Sequence, residues 1–166
     1  MERAPQTHPF PPLYDERSRV LILGSFPSVA SRETAFFYGH PQNRFWRVLA
    51  ALFQTDVPRT VAEKTALVLE NRLALWDTIA SCEIAGSSDA SITTVRVNDL
   101  REILDGADIR AIFCNGGTSY RWYNRLLRGA LGREAACLPS TSPANAAWTL
   151  ERLVEAWGAA ILPYLE

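Results

Sequence analysis

The sequence predicts an α/β fold, a three-layer α/β/α arrangement around a four-stranded, mainly parallel sheet. Two observations predict it. Four short apolar runs recur along the chain, and segments with helical periodicity separate them, the pattern of a parallel sheet with helices on both faces. The chain has 166 residues, 48% of them hydrophobic, which suits one domain with a full core and excludes wholesale disorder.

The elements follow in order. The first 18 residues hold four of the ten prolines (Pro5, Pro9, Pro11 and Pro12). We expect them to form an extended lead-in across the surface, with His8 in solvent, and residues 19–166 to form the domain. Arg19 to Gly24 is a continuous apolar run suited to a strand buried on both faces. Asn43 to Phe53 places Trp46, Leu49, Leu52 and Phe53 at helical spacing. Thr60 to Asn71 is a second helix, with Thr60 and Glu63 spaced as a capping box. Leu73 to Ile79 is the second strand, and residues 81–96 form a polar connection. Asn98 caps a short helix to Leu104, ended by Gly106. Arg110 to Cys114 is the third strand, Thr118 to Leu131 a long helix, and Glu134 to Leu138 the fourth strand. Pro143 suits a first helical turn, so a last helix is expected from there to about Gly158.

Composition narrows the function. Seventeen basic and 18 acidic residues give a net charge of −1, which disfavours nucleic-acid binding by bulk charge and leaves room for a local basic face. Arg110, Arg121, Arg125, Arg128 and Arg133 supply one, interleaved with Tyr120, Trp122 and Tyr123 and free of acids. Arg121, Arg125 and Arg128 share a helix face. The three cysteines form no C-x-x-C pair, so disulfide scaffolds and zinc ribbons lose support, and Cys114 and Cys137 are expected in the core. The N-terminus lacks a signal-peptide core, and no apolar run approaches the roughly 20 residues of a membrane span. The default expectation is a soluble, cytoplasmic monomer with no membrane partner.

In open α/β sheets the site lies outside the carboxyl ends of the strands. Four stretches follow those ends here. They are Gly24-Ser-Phe-Pro-Ser28 with Tyr38-Gly-His-Pro-Gln-Asn-Arg-Phe-Trp46, Leu75-Trp-Asp77, Phe113-Cys-Asn-Gly116, and Leu138-Pro-Ser-Thr-Ser-Pro-Ala-Asn145. Together they resemble the uracil-DNA glycosylase superfamily, and within it the hypoxanthine (deoxyinosine) DNA glycosylase family, over about Leu13 to Leu162. The resemblance implies a four-stranded parallel sheet between helical layers. It also implies hydrolysis of the N-glycosidic bond of a deaminated base in damaged DNA, without metal or cofactor.

The resemblance assigns roles residue by residue. Ser25 stands where the superfamily commonly places a catalytic Asp or Asn, and Asn43 is the residue that the hypoxanthine family associates with catalysis. An amide can hold and polarise a water; Asn43 is equally suited to cap the helix that follows. Phe36, Phe37 and Tyr38 offer an aromatic for stacking on a flipped base, or else fill the core, and Phe26 and Pro27 flank the same site. His40 is a donor to the leaving base or a turn cap. Asp77 accepts from the N1–H of hypoxanthine or ties down its loop, and Asn115 reads base or backbone or makes a turn. Pro139, Ser140, Thr141, Ser142, Pro143 and Asn145 suit a minor-groove wedge with phosphate-binding hydroxyls, or a turn capped by Ser142. Arg44, Arg47 and Arg121 are candidates to hold the DNA backbone.

Lys64 is the chain's one lysine and lies away from the strand ends, so no Schiff base is expected, and hence no strand cutting. Three other readings stand beside this one. A glycosylase on the same scaffold that prefers uracil or xanthine differs only in pocket shape. A non-catalytic nucleic-acid binder on the same scaffold differs only in activity. A serine hydrolase using Ser25 or Ser28 with His40 lacks the G-x-S-x-G elbow.

Overall fold

The structure, a computed structural model, describes residues 2–166. Strands β2 (Val20–Gly24), β3 (Leu73–Asp77), β6 (Ala111–Asn115) and β7 (Ala136–Leu138) form the expected sheet, in the order β3-β2-β6-β7. All its pairs are parallel. Every position of β2 and β3 is buried, so both faces of the sheet's centre are covered. Helices α2 (Phe45–Leu52), α3 (Val61–Glu70), α5 (Gly117–Leu126) and α7 (Leu150–Ile161) supply that cover. Trp157 of α7 meets the edge of Phe45 of α2 at 5.8 Å, and its indole N–H is satisfied by the Pro139 carbonyl at 2.9 Å. Thr60 caps α3 as its spacing predicts, accepting from the Glu63 amide at 3.1 Å.

A second sheet was not expected. Strands β1 (Ala4–Thr7), β4 (Ile79–Ile84) and β5 (Thr93–Val97) form an antiparallel sheet in the order β1-β4-β5. The polar connection at 81–96 is therefore strand at both ends, and Asp89–Ser91 is a 3₁₀ turn between β4 and β5. The proline-bearing lead-in is built into the fold through β1, through buried Phe10, and through Leu13, which bridges to Leu75. β3 passes into β4 at a pinned bend. The Thr78 amide donates to Gly24 O at 2.8 Å, and the Asn98 side chain donates to Asp77 O at 2.7 Å and to Ile79 O at 3.2 Å.

Asn98 is spent on that bend and does not cap α4 (Arg101–Gly106), where Asp99 accepts from the Arg101 amide instead. A helix α1 (Val29–Thr34) follows β2, capped by Ser28. The helix expected from Thr118 to Leu131 breaks at Leu127 into α5 and α6 (Arg128–Leu131). The last helix starts at Leu150 behind a Thr149 cap, and residues 142–148 are held as turns. Cys114 is buried as expected, but Cys137 is exposed, because β7 is the edge strand. Among the described residues, no helix is long and apolar enough to cross a membrane.

Candidate active site

The chain runs from β2 to β3 on one side of β2, then continues with β6 on the other side. The strand order thus reverses between β2 and β6, and a crevice opens outside their carboxyl ends. A cavity of about 480 Å³ lies there. Gly24 and Asp77 are register partners at its floor, and Asn115 pairs with Leu138 on the other side. Residues of the loop after β2, of the 38–43 loop, of the β4–β5 connection and of the 140–144 loop complete the lining.

Asp77 is buried, with its side chain 7% exposed, and its Oδ2 lies 2.7 Å from His8 Nε2. The His8 ring, 3% exposed, is wedged between Phe10 and Trp76, each at 4.5 Å. The expectation of a solvent-facing His8 is therefore corrected: antiparallel pairing of β1 with β4 carries it to the floor of the site. A methyl group on Gly24 would overlap Asp77 Oδ1, so the floor requires glycine. It would also lie 3.2 Å from Tyr38 Oη, which is buried and donates to no acceptor among the described residues. Burial, reinforced by the charge of Asp77, raises the Tyr38 phenol far above its ordinary value and keeps it protonated.

Asn43 stands at the head of α2. Its Oδ1 accepts from the Phe45 amide at 2.9 Å and from the Thr141 hydroxyl at 2.8 Å. Thr141 Oγ1 accepts in turn from Asn115 Nδ2, and the Thr141 amide donates to Asn115 Oδ1, both at 3.0 Å. This relay ties three of the strand-end loops together. It occupies both lone pairs of the Asn43 carbonyl and leaves Nδ2 without a partner among the described residues. Asn43 does not take the N-cap position of α2, which falls to Arg44; it accepts from the helix's first amide and lines the cavity at once. Asn115 is committed to the relay, and Thr141 is fully buried, so its hydroxyl is not free to meet a phosphate.

Phe26, Phe37 and Tyr38 line the cavity, whereas Phe36 packs outside it, parallel to Trp46 at 6.1 Å. Tyr38 stacks on Phe45 at 4.0 Å. Pro27, Pro143 and exposed His40 also line the cavity. His40 Nδ1 accepts from the Gln42 amide at 3.1 Å, which assigns the proton of a neutral ring to Nε2 and leaves that group as a donor.

Arg44 turns inward. Its guanidinium donates to the carbonyls of Trp148, Ser142 (3.0 Å) and Asn145 (3.1 Å). Arg44 thus shapes the 142–148 loop rather than offering its fork outward. Ser142 accepts from the Ala144 amide and Ser140 from the Ser142 amide, which leaves both hydroxyl protons available. Asn145 Nδ2 donates to Ser140 O at 3.0 Å, and Pro139 O takes the Trp157 indole, so both residues brace the loop. Arg121 and Arg125 of α5 are exposed and flank Trp122 at 5.4 and 5.5 Å, while Arg128 pairs with Glu134. Arg47 is exposed beside the 40–43 turn.

Sequence reading missed two residues of the site, His8 and Asp89. Ser25 Oγ donates to Asp89 Oδ1 at 2.9 Å, so the Ser25 position presents a carboxylate delivered from the β4–β5 connection. Loss of hydration, with a contribution from Asp77, raises the Asp89 carboxyl above its usual range, while the Ser25 hydrogen bond and Arg121 oppose the shift. No local motif marks either residue, because both arrive through the antiparallel sheet. Among the described residues, no group of three or more His, Cys, Asp or Glu is gathered to hold a metal.

The chain is similar to known proteins over most of its length. A hypoxanthine DNA glycosylase from Methanosarcina acetivorans is 34% identical over 144 residues, 86% of this chain and 90% of that protein. One from Methanosarcina barkeri is 34% identical over 138 residues, 82% and 86% of the two chains. The solution NMR structure of a proposed uracil DNA glycosylase from Methanosarcina acetivorans superposes with a TM-score of 0.77 at 34% identity, covering 91% of this chain and 93% of that one. The family model of the uracil DNA glycosylase superfamily matches residues 11–165, and the chain belongs to that superfamily.

Proposed function

We propose that this DNA glycosylase releases a deaminated purine, hypoxanthine first, by hydrolysis of its N-glycosidic bond, and leaves an abasic site. One observation carries the reading. A cavity at the strand ends brings together a free Asn43 amide, an anchored Asp77 carboxylate and aromatic walls, in a chain whose relatives are named hypoxanthine DNA glycosylases.

A base inside a duplex is out of reach, so the nucleotide is extruded and its base enters the cavity. Phe26, Phe37 and Tyr38 present apolar surface to the base. Asp77 Oδ1 accepts the N1–H of hypoxanthine while His8 holds Oδ2. Tyr38 Oη, buried and unpaired, is a donor for the purine edge. Asn43 Nδ2 donates to the oxygen of a water and holds it against the sugar. His40 Nε2–H stands at the cavity rim as a donor to the departing base. The Pro139–Asn145 loop enters the gap left in the duplex, with Ser140 and Ser142 on phosphate. Lys64, held 5.3 Å over Trp46 on α3, is not among the cavity residues, which favours base release without strand cutting.

Single-turnover cleavage of labelled duplexes carrying hypoxanthine, uracil or xanthine, with alkali to reveal abasic sites, tests the reading. Hypoxanthine release is expected to lead, and Asn43→Ala to slow it about 100-fold or more, the order of effect of removing one fixed donor. Loss of the hydrogen bond to the Phe45 amide costs that variant about 1 kcal/mol of stability. Uracil released ahead of hypoxanthine overturns the substrate assignment. Full activity in Asn43→Ala removes the residue from the mechanism. No release from any duplex by folded protein favours a binding module.

A further inference from the structure

We propose that Asp89 is a second catalytic residue. Its carboxylate faces C1′ of the extruded nucleotide, offsets the positive charge that grows on the sugar, and takes the proton of the attacking water. The inference rests on the base-release reading above.

The position of Asp89 carries it. The cavity opens into a surface groove that runs along Gly116, Gly117 and the Pro139–Asn145 loop. Four residues line both spaces: Asp89, Ser140, Ser142 and Ala144. With the base in the cavity and the strand's phosphates along the groove, the sugar that joins them sits at this junction. Only one residue of the four ionises, and it is an acid. An acid beside phosphates weakens DNA binding, since the backbone is read by cations. A fixed negative charge there is useful to an oxocarbenium-like transition state, where positive charge develops on the sugar.

Asn43 creates the need for such a group. Its carbonyl oxygen already accepts two hydrogen bonds, so its amide can hold the water but cannot take its proton. Asp89 can. Ser25 fixes Oδ1, and Oδ2 has no partner among the described residues. The groups that act on the carboxylate are Ser25 after β2, Asp77 at the end of β3, and Arg121 on α5, with Tyr38 and Cys82 of β4 also within its field. Asp89 is an exposed residue at the cavity mouth, and its partial loss of hydration there raises the carboxyl and makes it a better proton acceptor than one in water. In the step, the water oxygen bonds to C1′, and the C1′–N9 electron pair leaves with the purine. The water proton moves to Asp89 Oδ2 and is then given up to the purine anion. One water is consumed, and one base and one abasic sugar result.

Asp89→Asn keeps the shape and the acceptor for Ser25 while removing the charge. In single-turnover assays on a hypoxanthine duplex it is expected to slow base release about 100-fold or more. Its affinity for the same duplex should be equal or tighter, as removal of a negative charge requires. The wild-type rate should climb with pH as Asp89 ionises, over a window above the ordinary carboxylate range, and this limb should vanish in Asp89→Asn. If Asp89→Asn fails to fold by near-ultraviolet circular dichroism, the wild-type limb and Asp89→Glu decide. Base release by Asp89→Asn within threefold of an active wild type overturns the inference and leaves the proposed function standing; so does a wild-type rate that is flat with pH. A wild type that releases no base defeats both readings together.

Discussion

Replacing His8 with alanine probes the floor of the site directly. The imidazole is 3% exposed and the Asp77 side chain 7%, so the hydrogen bond between them lies out of water. Removal of the ring leaves the Asp77 carboxylate buried without its donor, a loss of about 3–5 kcal/mol when a buried pair is broken from one side. It also leaves a gap between Phe10 and Trp76, both of which contact the ring. For a chain of this size about 3 kcal/mol lowers Tm by about 6–12 °C. Urea and thermal unfolding read both quantities. Asp77→Asn removes the charge that needs a donor, so the double variant His8→Ala/Asp77→Asn should lose less than the sum of the two single changes, by about 2 kcal/mol. His8→Gln, which keeps an N–H, should recover part of the stability. A His8→Ala variant within about 0.5 kcal/mol of wild type, with additive double-variant energies, would refute the claim that this pair supports the floor.

Two further predictions test the walls. Gly24→Ala puts a methyl group into Asp77 Oδ1, which His8 restrains from swinging away, so the carboxylate or the strand end must shift. A destabilisation of about 1–3 kcal/mol is expected, together with a larger loss in single-turnover base release than Asp77-independent packing changes produce; stability and cleavage measured on one preparation check it. Arg44→Ala deprives the Ser142, Asn145 and Trp148 carbonyls of their donor, at a cost of about 3 kcal/mol. Hydrogen exchange should show faster opening confined to residues near 142–148, and Arg44→Lys should not restore it, because an ammonium lacks the planar fork.

The parallel sheet was legible because burial on both faces writes itself into sequence as unbroken apolar runs, as at Val20–Gly24 and Leu73–Asp77. The antiparallel sheet was not. β4 and β5 are only partly buried, at alternating or scattered positions, and their mixed polar sequence is that of a connection. The second partner of β4, strand β1, lies among prolines more than 70 residues away in sequence, and no local pattern announces such pairing. Pro143 misled for a different reason. It suits a first helical turn, but the Arg44 guanidinium and the Ser140 and Ser142 hydroxyls capture backbone groups over 142–148, and the helix waits for the Thr149 cap. Asp77 and the 139–145 loop stood out because they sit at strand ends, and Asn43 stood out through the family resemblance. His40 and Tyr38 followed by proximity in sequence.

The two unforeseen site residues have a common origin, and that origin explains the division of the molecule. The ends of parallel strands give backbone groups, turns and short polar side chains, and here they end in Gly24, Asp77, Asn115 and Leu138. Asp77, the one ionisable residue among these ends, needs a buried donor to hold it, and the loop position beside it is a serine. The antiparallel sheet answers both lacks: β1 leads His8 to Asp77 Oδ2, and the β4–β5 connection brings Asp89 to Ser25. Both contacts cross from one sheet to the other at the bend where Asn98 clamps Asp77 and Ile79. The small sheet therefore belongs to the active site as much as the large one does. Truncating the first eight residues should disable the site by uncovering Asp77, even though none of the described residues among them lines the cavity itself.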